Sequence, residues 1–271
     1  TYALGSGLPY VDEWYNNVYA FEQATSVPVT APNTTPNINF TLEALAPRPT
    51  IDDAINDGVG WLASQQNPAD GSWGTQYPVA KTALAVLKLA TYAWEHEISP
   101  FNPEYPYHTQ VENGLNYLFS QAQFIDLSMQ PAGNPDGDSD GLGVYFYSPA
   151  PLSHPRHPVD IYETSIAMMA IAATADPARQ VNVPCPVNQW TYQMVMQDAV
   201  DYMSWAQTDS GYGRGGWNYN AMNNAGSRSD ESNSGWATLA LAYAEDFGIG
   251  IPSFVRSELE IWIDYIQDDV D

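Results

Sequence analysis

The chain has little of what small folds use to cross-link themselves or to balance charge. A single cysteine, Cys185, among 271 residues excludes an intramolecular disulfide and a cysteine-rich zinc site. Lysine occurs twice, at Lys81 and Lys88. Lys plus Arg total 8 against 32 Asp plus Glu, a formal net charge of −24. Such a surface repels nucleic acid and anionic membranes, so nucleic acid is excluded as a partner. No run approaches the ~18 consecutive apolar residues of a membrane span. A hydrophobic content of 44% still supplies a sizeable core. The acid excess suits divalent cations, high salt or an extracellular setting.

Residues 1–50 read as an extended N-terminal arm. Val11, Trp14, Val18 and Phe21 recur at helical spacing, so Tyr10 to Glu22 is expected to form a short helix. After Ser26 the chain turns Pro/Thr-rich and extended, and the alternation in NINFTLEAL suits a strand. Asn33-Thr-Thr and Asn39-Phe-Thr fit the N-glycosylation acceptor pattern. With the acidity, these sequons make a secreted or cell-surface protein the expected setting. The arm either hugs its own domain or docks on another subunit.

Residues 51–271 repeat one unit. In Ile51 to Ala93, Ile55, Val59, Leu62 and Ala63 form one apolar stripe of a helix. NPADGSWG then breaks it, and a second helix, apolar on nearly every side, runs from about Ala80 to Trp94. A second unit starts near His108, where VENGLNYLFSQ sets Gly114 opposite Gly58 and Gln121 opposite Gln65. A long insertion follows before DIYETSIAMMAIAAT (160–174), in which Thr164 aligns with Thr82. A third runs from Trp190 to Gln207, through GYGRGGWNYN, to SNSGWATLALAYAEDF (232–247). Half of a fourth begins at Pro252. Repetition of this kind means stacked helical hairpins. The fold class expected is all-α, with an outer amphipathic and an inner buried helix per unit.

The stretch GVGWLASQQNPADGSW resembles the QW repeat of squalene-hopene and oxidosqualene cyclases and the related repeat of protein prenyltransferase β-subunits. Gly58, Leu62, Gln66, Gly71 and Trp73 fill the family's places, and Asp57 stands where it prefers Lys or Arg. The later copies are looser, with Gln121 and with Gln207, Gly215 and Trp217. The resemblance covers residues 51–267 and implies an α/α toroid-like stack, partial or open. A closed toroid of this family has about five to seven hairpins, and three and a half are present. The family's catalytic residues do not carry over. The D-x-D-D acid of the cyclases is absent, Cys185 lies outside a zinc-ligating position, and the Cys-Gly-Glu-Gln of related thioester domains is missing. A Gln at the end of an outer helix can bond the last free carbonyls or the next helix's free N–H groups, with Trp73 closing the connector over it.

Three further features bear on function. Asp136-Gly-Asp138-Ser-Asp140-Gly141 has the alternating carboxylates and sixth-position Gly of a calcium loop. Its twelfth position is Tyr147 in place of a bidentate Glu, so Asp160 or Glu163 would have to complete the set. The alternative is a solvated Asp/Gly turn. His154, Arg156 and His157 form the most cationic spot, with Tyr162 close by, and are the residue types of a polysaccharide lyase. A Pro-stiffened loop is the plainer account. Trp73, Tyr145, Tyr147, Trp217 and Tyr219 lie in the connectors. They would either form a sugar- or partner-binding surface or seal helix ends.

Three functions follow. The leading one is a non-catalytic, self-assembling surface subunit, because an open stack leaves apolar ends that missing chain, the N-terminal arm or another copy would cover, the last giving a homo-oligomer or filament. The others are a carbohydrate-binding module and an enzyme, a lyase or divergent terpenoid cyclase.

Overall fold

The computed structural model describes residues 21–23, 50–148 and 160–267. The chain divides into two units, Thr1–Asn56 and Asp57–Asp271, so the junction falls inside the first helix and not at the end of the Pro-rich segment. In the first unit, Phe21–Gln23 is a 3-10 turn. The rest of the expected Tyr10–Glu22 helix, the NINFTLEAL strand, Asn33 and Asn39 lie outside the described residues. The start of α1 (Ile51–Ser64) is fixed by a reciprocal cap. Thr50 donates from its N–H and its hydroxyl to Asp53 Oδ2 at 2.9 and 2.8 Å, and Asp53 N–H returns a bond to Thr50 Oγ1.

Seven α-helices occur among the described residues, at the places the repeat requires. After α1 come α2 (Pro78–Glu95), α3 (His108–Ser120), α4 (Asp160–Ala172), α5 (Tyr192–Trp205), α6 (Glu231–Asp246) and α7 (Ser253–Ile266). The fold is mainly helical, with one departure. The insertion after α3 contains a hairpin of β1 (Ala122–Asp126) and β2 (Leu142–Phe146), paired antiparallel with Ala122 opposite Phe146. Gly143, Val144 and Phe146 of β2 are buried, while Gln123 and Phe124 of β1 are exposed, so the hairpin lays β2 against the core and turns β1 outward.

Helix α4 packs against both α2 and α6, while α3 lies on α2, and α5 on α4 and β2. This position explains why α4 is buried from Asp160 through Ile171, with Tyr162 alone half-buried. Its Ala167 and Ala170 permit the close approach, as do Ala83 of α2 and Ala240 of α6, all at 0% exposure. The expectation that every inner helix is interior all round holds for α4 alone. α2 exposes Lys81 and Leu84, and α6 exposes Thr238 and Leu239, because each has an inner neighbour on one side only.

The first and third connectors repeat the same bonds. In the first, Gln66 Nε2 donates to the Gly71 carbonyl at 2.9 Å and to the Gln110 carbonyl in the first turn of α3 at 3.0 Å. Trp73 Nε1 donates to the Leu62 carbonyl of α1, and its N–H donates to Thr82 Oγ1 of α2. In the third, Gln207 bonds the carbonyls of Gly215 and Val255, the latter in the first turn of α7. Trp217 bonds Met203 O and Ser234 Oγ in the same pattern. The glutamines bond carbonyls of the next outer helix and not its free N–H groups. Gly71 and Gly215 have φ of +82° and +87°, and a Cβ on either would overlap backbone of the next outer helix, at Asn113 or Glu258.

The second connector keeps half of this. Phe146, fully buried, sends its N–H to Thr164 Oγ1 at 2.9 Å, so it occupies the place of Trp73 and Trp217. Lacking an indole N–H, it makes no bond to a helix carbonyl. Ala122 stands where Gln66 and Gln207 stand, and Gln121, like Gln65, only reaches the serine before it.

Candidate metal centre

The insertion brings its acidic loop onto α5. Asp136 Oδ1 accepts from Ser139 N–H at 2.8 Å and Oδ2 from Gly141 N–H at 3.1 Å. Asp138 Oδ1 accepts from Asp140 N–H, and Asp140 Oδ1 from Leu142 N–H. These bonds curl the segment into a tight turn, with Ser139 and Gly141 at φ of +69° and +83°. The turn is held down at Gly137, whose N–H donates to Asp201 Oδ2 at 2.9 Å. A Cβ at Gly137 would press on Gln197 Nε2 and Asp201 Oδ1, so glycine permits this seating. Flanking contacts extend it. Trp205 Nε1 donates to Ser128 Oγ at 3.1 Å, and Tyr145 stacks on Tyr202 with centroids 5.1 Å apart and planes 18° apart.

Two carboxylates that the acidic motif does not contain face this loop. Asp198 and Asp201, three apart on α5 and therefore on one face, are 1% and 0% exposed. Ligand oxygens of Asp136, Asp138 and Asp201 lie within 4.8 Å of one another, and so do those of Asp138, Asp140 and Asp198. These two groups could hold a metal ion. Asp160 and Glu163, expected to complete the set, serve elsewhere. Asp160 Oδ2 accepts from Tyr202 Oη at 2.8 Å, and Glu163 accepts from Ser148 N–H and Oγ at 2.7 and 2.5 Å. The sequence hides Asp198 and Asp201 because they fall in the second half of α5, which is buried throughout from Asp198 to Trp205 although acids normally mark an exposed face. Two acids at i and i+3 among core positions were the available signal.

The electrostatics are those of a site lacking a counter-charge. Burial, then the carboxylates of Asp140, Asp138, Asp201 and Asp136, pushes Asp198 up to about 8. Asp201 rises to about 7, mainly through burial, against the opposing bonds from Gly137 N–H and Gln197 Nε2. Asp138 is also raised, by desolvation first and by Asp140 next. Among the described residues no Lys, Arg or His forms an ion pair with any of the five; the ion pairs join Lys88 to Glu95, Arg179 to Glu112, Arg214 to Glu258 and Arg256 to Glu245. Asp198 Oδ2 is buried with no hydrogen-bond partner. A buried charged oxygen left in that condition is costly. A hard divalent cation meets the need, since all the donors are carboxylate oxygens.

The connector aromatics do not form one surface. Trp73 and Trp217 are 4% and 0% exposed and close helix ends. Tyr145 is half-buried against Tyr202, Tyr147 is half-buried, and Tyr219 is exposed with its hydroxyl on Asp230. Tyr162 packs edge-on against Trp236. His154, Arg156 and His157 lie outside the described residues. No helix is long and apolar enough to cross a membrane among the described residues. No family model, no curated protein and no solved structure matches this chain.

Proposed function

We propose that this chain is a calcium-binding, non-catalytic structural domain of a secreted or cell-surface protein, built as an open α/α toroid-like stack. The observation that carries the reading is the buried, unpartnered oxygen of Asp198, a residue whose carboxylate clusters with Asp138 and Asp140 beside the Asp136–Asp138–Asp201 group. Carboxylate oxygens suit a hard ion, and a curled loop of alternating acids suits the larger and geometrically more tolerant calcium better than octahedral magnesium. The ion's work is mechanical. It ties the insertion to α5 and offsets repulsion that would otherwise push them apart.

Self-association with further copies fits the same architecture. Large apolar side chains stand exposed on the elements at either end of the row, with Trp61 on α1, Leu84 on α2, Leu239 on α6 and Tyr265 on α7. A second copy of this chain is the partner that covers unlike ends head to tail. Thermal unfolding of EDTA-stripped protein with and without calcium tests the metal reading. A melting temperature that calcium does not raise overturns it. Light scattering across a concentration series tests association, and a monomer at every concentration overturns that part.

A further inference from the structure

We infer that the centre holds two calcium ions bridged by the carboxylate of Asp138. This inference rests on the metal-binding reading above and adds its stoichiometry and its pivotal residue. Oxygens around one calcium sit 2.3–2.6 Å from the ion, so any two of them are at most about 5 Å apart. The five carboxylates do not form one group of that size. They resolve into two triads, Asp136–Asp138–Asp201 and Asp138–Asp140–Asp198, each with ligand atoms within 4.8 Å. One ion cannot gather both triads without undoing the turn, whereas two ions fit them as they stand.

Asp138 belongs to both triads. Its Oδ1 takes only a long bond, 3.3 Å, from Asp140 N–H. Both of its oxygens therefore keep lone pairs for metal. The outer ligands are fixed independently, Asp201 by Gly137 and Gln197 and Asp136 by Ser139 and Gly141.

Charge favours the same count. Five carboxylates around one divalent ion leave three uncompensated negative charges beside two residues at 0–1% exposure, and two ions leave one. Asp198, whose buried Oδ2 no donor reaches, belongs to the second triad alone, so an ion confined to the first would leave it as it is. The second ion is the one that resolves it.

Calorimetric titration of EDTA-stripped protein with calcium chloride, checked by elemental analysis after desalting, reads the count directly. Two ions per chain support the inference. One ion overturns it and leaves the single-ion reading standing; none overturns both. Asp136→Asn and Asp140→Asn are each expected to lose one ion and retain the other, whereas Asp138→Asn weakens both binding events at least tenfold. A variant Asp138→Asn that keeps one ion at wild-type affinity overturns the bridge. The wild-type count decides even if a variant misfolds.

Discussion

Replacing Asp198 with asparagine should stabilise the metal-free fold and lose most or all of that gain in calcium. In the metal-free fold Asp198 is a carboxyl raised from 3.8 to about 8 by burial and four acidic neighbours. At pH 7 the unfolded chain is free to ionise it and the folded chain is not. At about 1.4 kcal/mol per pH unit, that difference approaches 4 kcal/mol against folding. Asparagine has nearly the same shape and no charge, and its amide can donate to Asp138 or Asp140. Recovering half of the penalty gives about 2 kcal/mol. For a domain of this size that is a rise in Tm of about 4–8 °C in EDTA. With calcium most or all of that gain is lost. Saturation at about 1,000 times Kd contributes about 4 kcal/mol, and a loss of ten- to a hundredfold in affinity removes about 1.4–2.7 of it. The assay is circular dichroism at 222 nm during heating, for both proteins in both conditions. A variant destabilised equally with and without calcium would refute the reasoning, because Asp198 would then be a packing residue and not a ligand.

Other outcomes follow from the same geometry. The calcium-induced rise in Tm should be larger at pH 8 than at pH 5.5. The folded pKa values of Asp198 and Asp201 are raised to about 8 and about 7, so metal-free stability is full below about pH 4 and is lost as pH climbs through 7–8; equal rises at both pH values would count against this. Trp217→Phe should cost about 1–2 kcal/mol, the price of the unpaired Met203 carbonyl, and Trp217→Ala about 3–5 kcal/mol through the added cavity. Urea unfolding measures both, and equal losses would mean that the indole bond does nothing. Gly215→Ala should destabilise by more than 2 kcal/mol, since its Cβ meets the backbone of α7 in a left-handed conformation, whereas Gly250→Ala, with open space around it, should stay within about 1 kcal/mol.

Helix placement was legible in the sequence because each helix carries its own period. Ile55, Val59 and Leu62 suffice to mark α1, and Thr82 aligned with Thr164 marks two helix starts that use their hydroxyls alike. The Asp136–Gly141 turn was legible for the same reason, being local. What joins distant segments was not. Nothing near Asp136 in sequence points to Asp198 and Asp201, some 60 residues on, which matter only once α5 turns one face toward the loop. The β-hairpin was not legible because each strand has only five residues, without a period-two burial pattern, and the strands flank a Gly/Asp-rich turn. Phe146 stands between two tyrosines in the sequence, and its equivalence to Trp73 appears only through the shared bond to a threonine.

The glutamine bonds also bear on how the chain is made. The carbonyl that accepts from Gln66 lies 44 residues downstream, and the one that accepts from Gln207 lies 48 residues downstream. At a synthesis rate of about 5–20 residues per second, each connector waits about 2–10 s for its latch. A nascent hairpin therefore stays ajar until the following outer helix has emerged, and the final latch depends on α7.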